Sequence, residues 1–157
     1  MTIELWSLGK ENTKLVDAAI EEYTKRIQHY VPYKLTVIDN AKIPKQLPKA
    51  AMMEKEAELV LQKLQDRDLL VVLDEHGKAI QSMALAEKMN HMFNLSPNRI
   101  IFLIGGSFGI APVLKEKAHY ILSLSSLTFP HQLVRLLFTE QLYRALSILK
   151  NEKYHHE

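Results

Sequence analysis

Two patterns of hydrophobic spacing alternate along the chain: short, largely apolar runs, and longer stretches in which apolar residues return every three or four positions. Ile3 to Leu8 suits a first strand. After Gly9, the positions Val16, Ile20, Tyr23, Ile27 and Tyr30 recur at the spacing of an amphipathic helix, which Pro32 ends. Leu35 to Ile38 reads as a second strand, followed by a loop from Ala41 to Lys49 and a helix with Met53, Ala57, Val60 and Leu64 on one face. Leu69 to Leu73 and Ile100 to Ile104 are continuous apolar runs, as expected of central strands buried on both faces. Between them Ser82 is placed to cap a helix carrying Leu85, Met89 and Phe93, which stops near Ser96-Pro97-Asn98. A short helix from Pro112 to His119 and a strand from Tyr120 to Leu124 follow. The last helix starts at Pro130, as its first helical residue, and runs to about Asn151.

Five strands alternating with five helices predict an α/β fold, a mainly parallel sheet with helices on both faces. At 157 residues and 47% hydrophobic content the chain is expected to form one domain over 1–157. No apolar run is long enough to cross a bilayer, and the start Met1-Thr2-Ile3-Glu4 lacks a signal-peptide pattern, so a cytoplasmic protein is expected. With no cysteine, thiolate chemistry and cysteine-ligated metals are excluded. Twenty basic against eighteen acidic residues, a net charge of +2, do not announce nucleic-acid binding, so any RNA contact must be local. Lys42, Lys45 and Lys49 are candidates for phosphate contact, with a solvated loop as the plainer reading.

Ligands of parallel α/β sheets bind beyond the carboxyl ends of the strands, and three segments at such ends stand out as one potential pocket. They are Leu73-Asp74-Glu75-His76-Gly77, Ile104-Gly105-Gly106-Ser107-Phe108-Gly109, and Leu124 to His131. The glycine-rich turn allows close approach to backbone, yet it is neither the dinucleotide fingerprint nor a P-loop with its Lys and Ser/Thr. In isolation it reads equally well as a plain connection. In the third segment Ser125, Ser126 and Thr128 precede a helix, where at least one hydroxyl is expected to cap it. Capping leaves the rest of the run unexplained. Its polar backbone and the apolar Leu124, Leu127 and Phe129 suit the edge and faces of an adenine ring.

The final helix is apolar on more than one side, which favours a homodimer over a helix buried centrally in one domain. Glu140 and Arg144 are spaced to pair on it. The tail Lys153-Tyr154-His155-His156 reads by itself as a frayed terminus, and two adjacent histidines without helical spacing do not predict a metal site.

Taken together, Leu73, the run Leu-Ile-Gly-Gly-Ser-Phe-Gly at 103–109, the run Leu-Ser-Ser-Leu-Thr-Phe-Pro-His-Gln-Leu-Val-Arg at 124–135, Glu-Gln-Leu-Tyr-Arg-Ala at 140–145 and Tyr154-His155 closely resemble one family. It is the ribosomal RNA large subunit methyltransferase H family, and the resemblance runs over essentially the whole chain. It implies a SPOUT-type α/β fold with a C-terminal trefoil knot, a feature that chains generally avoid and that periodicity cannot reveal. It also implies S-adenosyl-L-methionine as methyl donor, a homodimer, and methylation of N3 of a pseudouridine in 23S ribosomal RNA on the assembled ribosome. Leu73, Gly105, Leu124, Ser125, Ser126, Leu127, Thr128 and Phe129 would form the cofactor site, and Arg144, Tyr154 and His155 would stand near the substrate. Tyr154 and His155 are then candidate proton acceptors, and Arg144 a candidate partner for charge on the uracil ring or a phosphate. Two alternatives are a non-catalytic ribosome-associated dimer that binds another adenosine compound, and a flavodoxin-like nucleotide binder, for which no phosphate loop is present.

Overall fold

The computed structural model describes residues 1–9 and 13–156. Ten elements alternate: β1 (Thr2–Leu8), α1 (Lys14–Gln28), β2 (Tyr33–Ile38), α2 (Lys49–Leu61), β3 (Asp68–Ala79), α3 (Ser82–Asn94), β4 (Arg99–Ile104), α4 (Pro112–Lys117), β5 (Tyr120–Ser123) and α5 (His131–Leu149). The strands form one sheet in the order β2-β1-β4-β3-β5, and every pairing in it is parallel. The predicted fold class is therefore the observed one, with helices on both faces.

Alternation of side chains along each strand divides the core in two. Ile3, Leu5, Leu69, Val71, Ile100 and Phe102 point to one face, where α1, α3 and α5 cover them through Ile27, Leu85, Met89, Phe138 and Leu142. Trp6, Leu70, Val72, Ile101 and Leu103 point to the other, against Ala57 and Val60 of α2 and Leu114 of α4. The two central strands β3 and β4 are thus buried on both sides, which is why their sequences read as uninterrupted apolar runs. At the amino end of the sheet Arg99 lies 2.5 Å from Asp68 and stacks over the ring of Trp6.

Four local expectations change. Strand β3 does not stop at Leu73 but continues to Ala79; Leu122 of β5 pairs first with Leu73 and then with Lys78, so the polar stretch 74–77 bulges out between two stretches of ladder. Ser82 is the first helical residue of α3, not its cap, and its hydroxyl lies 2.7 Å from Gln141 on α5. Leu64 falls beyond the end of α2, although it still packs on the same cluster. Pro130 sits at the N-cap of α5, one residue before the helix.

α5 lies centrally, between α1 and α3, and this accounts for much of its apolar excess. Tyr143 packs on Tyr23 and Tyr30 of the α1 side, and only Leu133 and Leu137, one turn apart, are among its exposed large apolar residues. The excess taken as the sign of a partner is thus largely satisfied within the subunit.

The tightest joint between α5 and the sheet is Phe138 on Phe102, with ring centroids 4.4 Å apart and neither side chain exposed. Phe138→Ala is expected to lower unfolding free energy by about 3–5 kcal/mol in urea titrations. Leu133→Ala on the exposed stripe should stay within about 0.5 kcal/mol in the same assay.

Candidate active site

All parallel strands present their carboxyl ends at one edge, and there the segments after β3, β4 and β5 surround a cleft of about 550 Å³. Leu73, Gly105, Leu124, Ser125, Leu127, Thr128 and Phe129 are on its wall, as the sequence suggested; Ser126 is the one member of that set that is not. Lys49 and Met53 from α2 and Lys115 from α4 complete the lining, and no local motif marked these three.

The turn after β4 closes on itself. The N–H of Gly109 donates to the carbonyl of Gly106 over 3.0 Å, and Gly109 has φ +91°, where a side chain would be strained. A Cβ on Gly105 would come within 2.6 Å of Ile110 and 2.8 Å of the Gly109 carbonyl. These glycines keep the floor of the cleft thin.

The hydroxyls of the third segment do not cap α5, which has no side-chain cap bond. The Thr128 hydroxyl donates instead to Glu75 over 2.7 Å, tying the loop after β5 to the bulge of β3. The Ser125 hydroxyl accepts from the N–H of Leu127 at 3.0 Å, and Ser123 donates to the carbonyl of Ser125 at 2.8 Å. Polar side chains thus shape the loop, while Leu124, Leu127 and Phe129 offer apolar surface to a ligand.

Across the cleft Lys115 lies 2.6 Å from Asp74, whose other oxygen accepts the N–H of His76 at 2.8 Å. Burial pushes the Asp74 carboxyl up, but the hydrogen bonds from Lys115 and the His76 backbone, with the charge of Lys115, outweigh it and hold the group below its ordinary range.

Arg144, Tyr154 and His155 do come together, but elsewhere. Arg144 lies 2.5 Å from Glu140, its guanidinium sits 4.7 Å from the centre of the Tyr154 ring, and its Nη1 is 3.3 Å from Nδ1 of His155. The Tyr154 hydroxyl donates to Glu140 at 3.1 Å and lies 3.3 Å from that of Tyr23. The tail is therefore docked against α5 and α1 rather than frayed. Burial first, then the hydrogen bond with Tyr23 and the charge of Glu140, push the Tyr154 phenol well above its ordinary value, so it stays protonated at neutral pH. Val134 lines the cleft while Arg144 belongs to this cluster, so the two groups are separated by about 15 Å along α5, at ~1.5 Å of rise per residue.

Because the Asp74 carboxyl is depressed in the folded state, its contribution to stability is present above its unfolded value of about 3.9 and is lost as pH falls through the lower folded value. Urea midpoints should fall more steeply below about pH 4 for the unmodified protein than for Asp74→Asn. Parallel curves for the two proteins would show that the pair with Lys115 adds nothing.

The model of the family described as predicted SPOUT methyltransferase matches residues 1–155. The ribosomal RNA large subunit methyltransferase H of Christiangramia forsetii is 44% identical over 156 residues, covering 99% of each chain. That of Flavobacterium johnsoniae is 41% identical over 157 residues and the whole of both chains. Among solved structures, a probable methylase family protein from Haemophilus influenzae Rd KW20 superposes with a TM-score of 0.54 at 15% identity, covering 99% of this chain and 70% of the other. A probable methyltransferase from Bordetella pertussis Tohama I does so with a TM-score of 0.55 at 11% identity, over 92% and 95% of the two chains. Those two likenesses concern the fold, whereas the first three span the sequence itself: the chain belongs to the ribosomal RNA large subunit methyltransferase H family of SPOUT methyltransferases.

Proposed function

We propose that this chain transfers a methyl group from S-adenosyl-L-methionine to N3 of a pseudouridine in 23S ribosomal RNA, acting on the assembled ribosome as a cytoplasmic homodimer of single-domain subunits. The knotted C-terminal segment belongs to the same reading. The observation that carries it is the cleft at the carboxyl edge of the sheet, in a chain whose full-length relatives are named for methylation of large-subunit ribosomal RNA.

The residues suit this methyl donor. It carries a sulfonium cation and no phosphate, and the cleft offers the carboxylates of Asp74 and Glu75 beside apolar walls, without the Lys-bearing glycine loop of a nucleoside triphosphate site. When bound, the donor supplies a methyl carbon that N3 attacks, the carbon–sulfur bond breaking as the nitrogen–carbon bond forms. The chain's own contribution is to hold the loops that align the two reactants and to receive the N3 proton. Tyr154, kept protonated by Glu140 and Tyr23, is suited to donate a hydrogen bond rather than to accept that proton. His155 is left as the acceptor. A guanidinium only donates, so Nδ1 of His155 accepts from Arg144, and Arg144 frees that lone pair when it turns to a uracil oxygen.

One subunit holds its cleft and its Arg144–Tyr154–His155 cluster too far apart for both to reach one base. A second subunit, packed over the exposed Leu133 and Leu137, brings its own cluster to the cleft of the first.

Calorimetric titration of the folded protein with S-adenosyl-L-methionine should show binding, and its absence would reject the enzyme reading. A Gly105→Leu variant, blocked at the cleft, and His155→Ala should each lose methylation by at least about a hundredfold. Co-expressed as mixed dimers they should recover activity that neither has alone. No recovery from dimers shown to be mixed would mean that each subunit works by itself.

A further inference from the structure

A second cavity, of about 360 Å³, adjoins the cleft on the side of β1 and α2 and shares with it the turn at 106–108 and His131. Neither the sequence motifs nor the donor site above draws on it. Its most unusual wall is Glu56 of α2, a carboxylate with only 4% of its surface exposed. One of its oxygens, Oε1, accepts from the side-chain amide of Asn40 at 2.8 Å, while Oε2 has no hydrogen-bond partner among the described residues.

A buried carboxylate oxygen without a donor is costly and calls for an occupant that supplies one. The packing around it is equally specific. A Cβ on Gly106 would lie 2.4 and 2.5 Å from the two Glu56 oxygens, so a glycine at this position is what lets the carboxylate rest against the turn that also floors the main cleft. Glu56 lies three residues after Met53 and four before Val60, on the apolar stripe of α2, where a charge serves no packing purpose.

The same cavity is walled by cations. Lys45 comes from the loop before α2, and Arg135, 6% exposed, from the first half of α5. An acceptor on one side and positive side chains on the other form the complement of a zwitterion: an ammonium beside Glu56, a carboxylate toward Lys45 and Arg135. A flipped uracil would use the acceptor through its imide N–H but would leave two cations facing a neutral ring, which makes it the poorer match.

We infer that this cavity receives the amino-acid end of the methyl donor, with Oε2 of Glu56 accepting a hydrogen bond from its α-ammonium. The assignment rests on the donor reading given above and extends it. The adenosine end occupies the main cleft, the chain of the donor crosses the turn at 106–108, and Glu56 fixes which way the sulfur is presented. Glu56 is in this sense a binding and positioning residue, with no part in bond making.

Three ligands separate the possibilities in calorimetric titrations of the full chain. S-adenosyl-L-methionine carries the amino-acid end and the sulfonium, S-adenosyl-L-homocysteine carries the amino-acid end without the positive sulfur, and 5′-methylthioadenosine lacks both. Glu56→Gln keeps the shape and the contact with Asn40 while removing the charge, and it should weaken the first two ligands by about tenfold or more and leave the third within about twofold. Retained affinity for 5′-methylthioadenosine also serves as the check that the variant is folded. Equal weakening of all three would make Glu56 a support for the turn and overturn the assignment, as would weakening of S-adenosyl-L-methionine alone, which would pair Glu56 with the sulfonium. Unchanged affinities with loss of RNA methylation would give the cavity to the target base and overturn it too. Failure of the underlying donor reading has a separate signature, in which the unmodified protein binds none of the three and the assignment falls with it.

Discussion

Parallel pairing of every strand is the constraint on which the rest of this structure depends. It puts five carboxyl ends at one edge of the sheet, so segments far apart in sequence must meet there. β3 and β4 are the two most buried strands, and β5 adds itself on the far side of β3. The glycine turn after β4, the bulge of β3 and the loop after β5 therefore converge without any of them having been built for the others. The hydrogen bond from Thr128 to Glu75 then fastens two of the three together.

The same arrangement separates the chemistry into two places. α5 starts at the cleft, packs its middle onto Phe102 through Phe138, and carries Glu140 and Arg144 away from the cleft toward α1. The tail docks there, through Tyr154 on Glu140 and Tyr143. A rigid helix held along its length cannot bring its two ends together, so the cleft and the cluster serve one reaction only across two subunits. The need for a partner thus comes from the placement of functional groups; the apolar content of α5 is mostly spent on α1, α3 and the sheet.

Periodicity was enough to reveal the ten elements, because the helices obey their amphipathic spacing and prolines or polar residues interrupt the chain where the elements change. Strand order was not legible, since it depends on pairings between distant segments. The continuation of β3 beyond Leu73 was hidden for a related reason: residues 74–77 are polar and rejoin the ladder only because β5 lies beside them. Thr128 and Ser82 were misread as caps because capping is judged locally, whereas their hydroxyls found Glu75 and Gln141 across the fold. Most of the cleft was legible from its three strand-end segments. Arg144, Tyr154 and His155 were legible only through family resemblance, since nothing local announces that a polar tail will dock. Glu56 did leave a signal, a charge on the apolar stripe of α2, and its meaning emerged only with Gly106 placed against it.

The central claim is that this chain places one methyl group on one base of the large ribosomal RNA. Mass spectrometry of 23S ribosomal RNA from cells lacking the chain, compared with cells complemented by it, measures that claim directly. A single pseudouridine-bearing fragment lighter by one methyl group, restored on complementation by the unmodified chain and not by His155→Ala, is the predicted result. An identical set of fragment masses with and without the chain would contradict it.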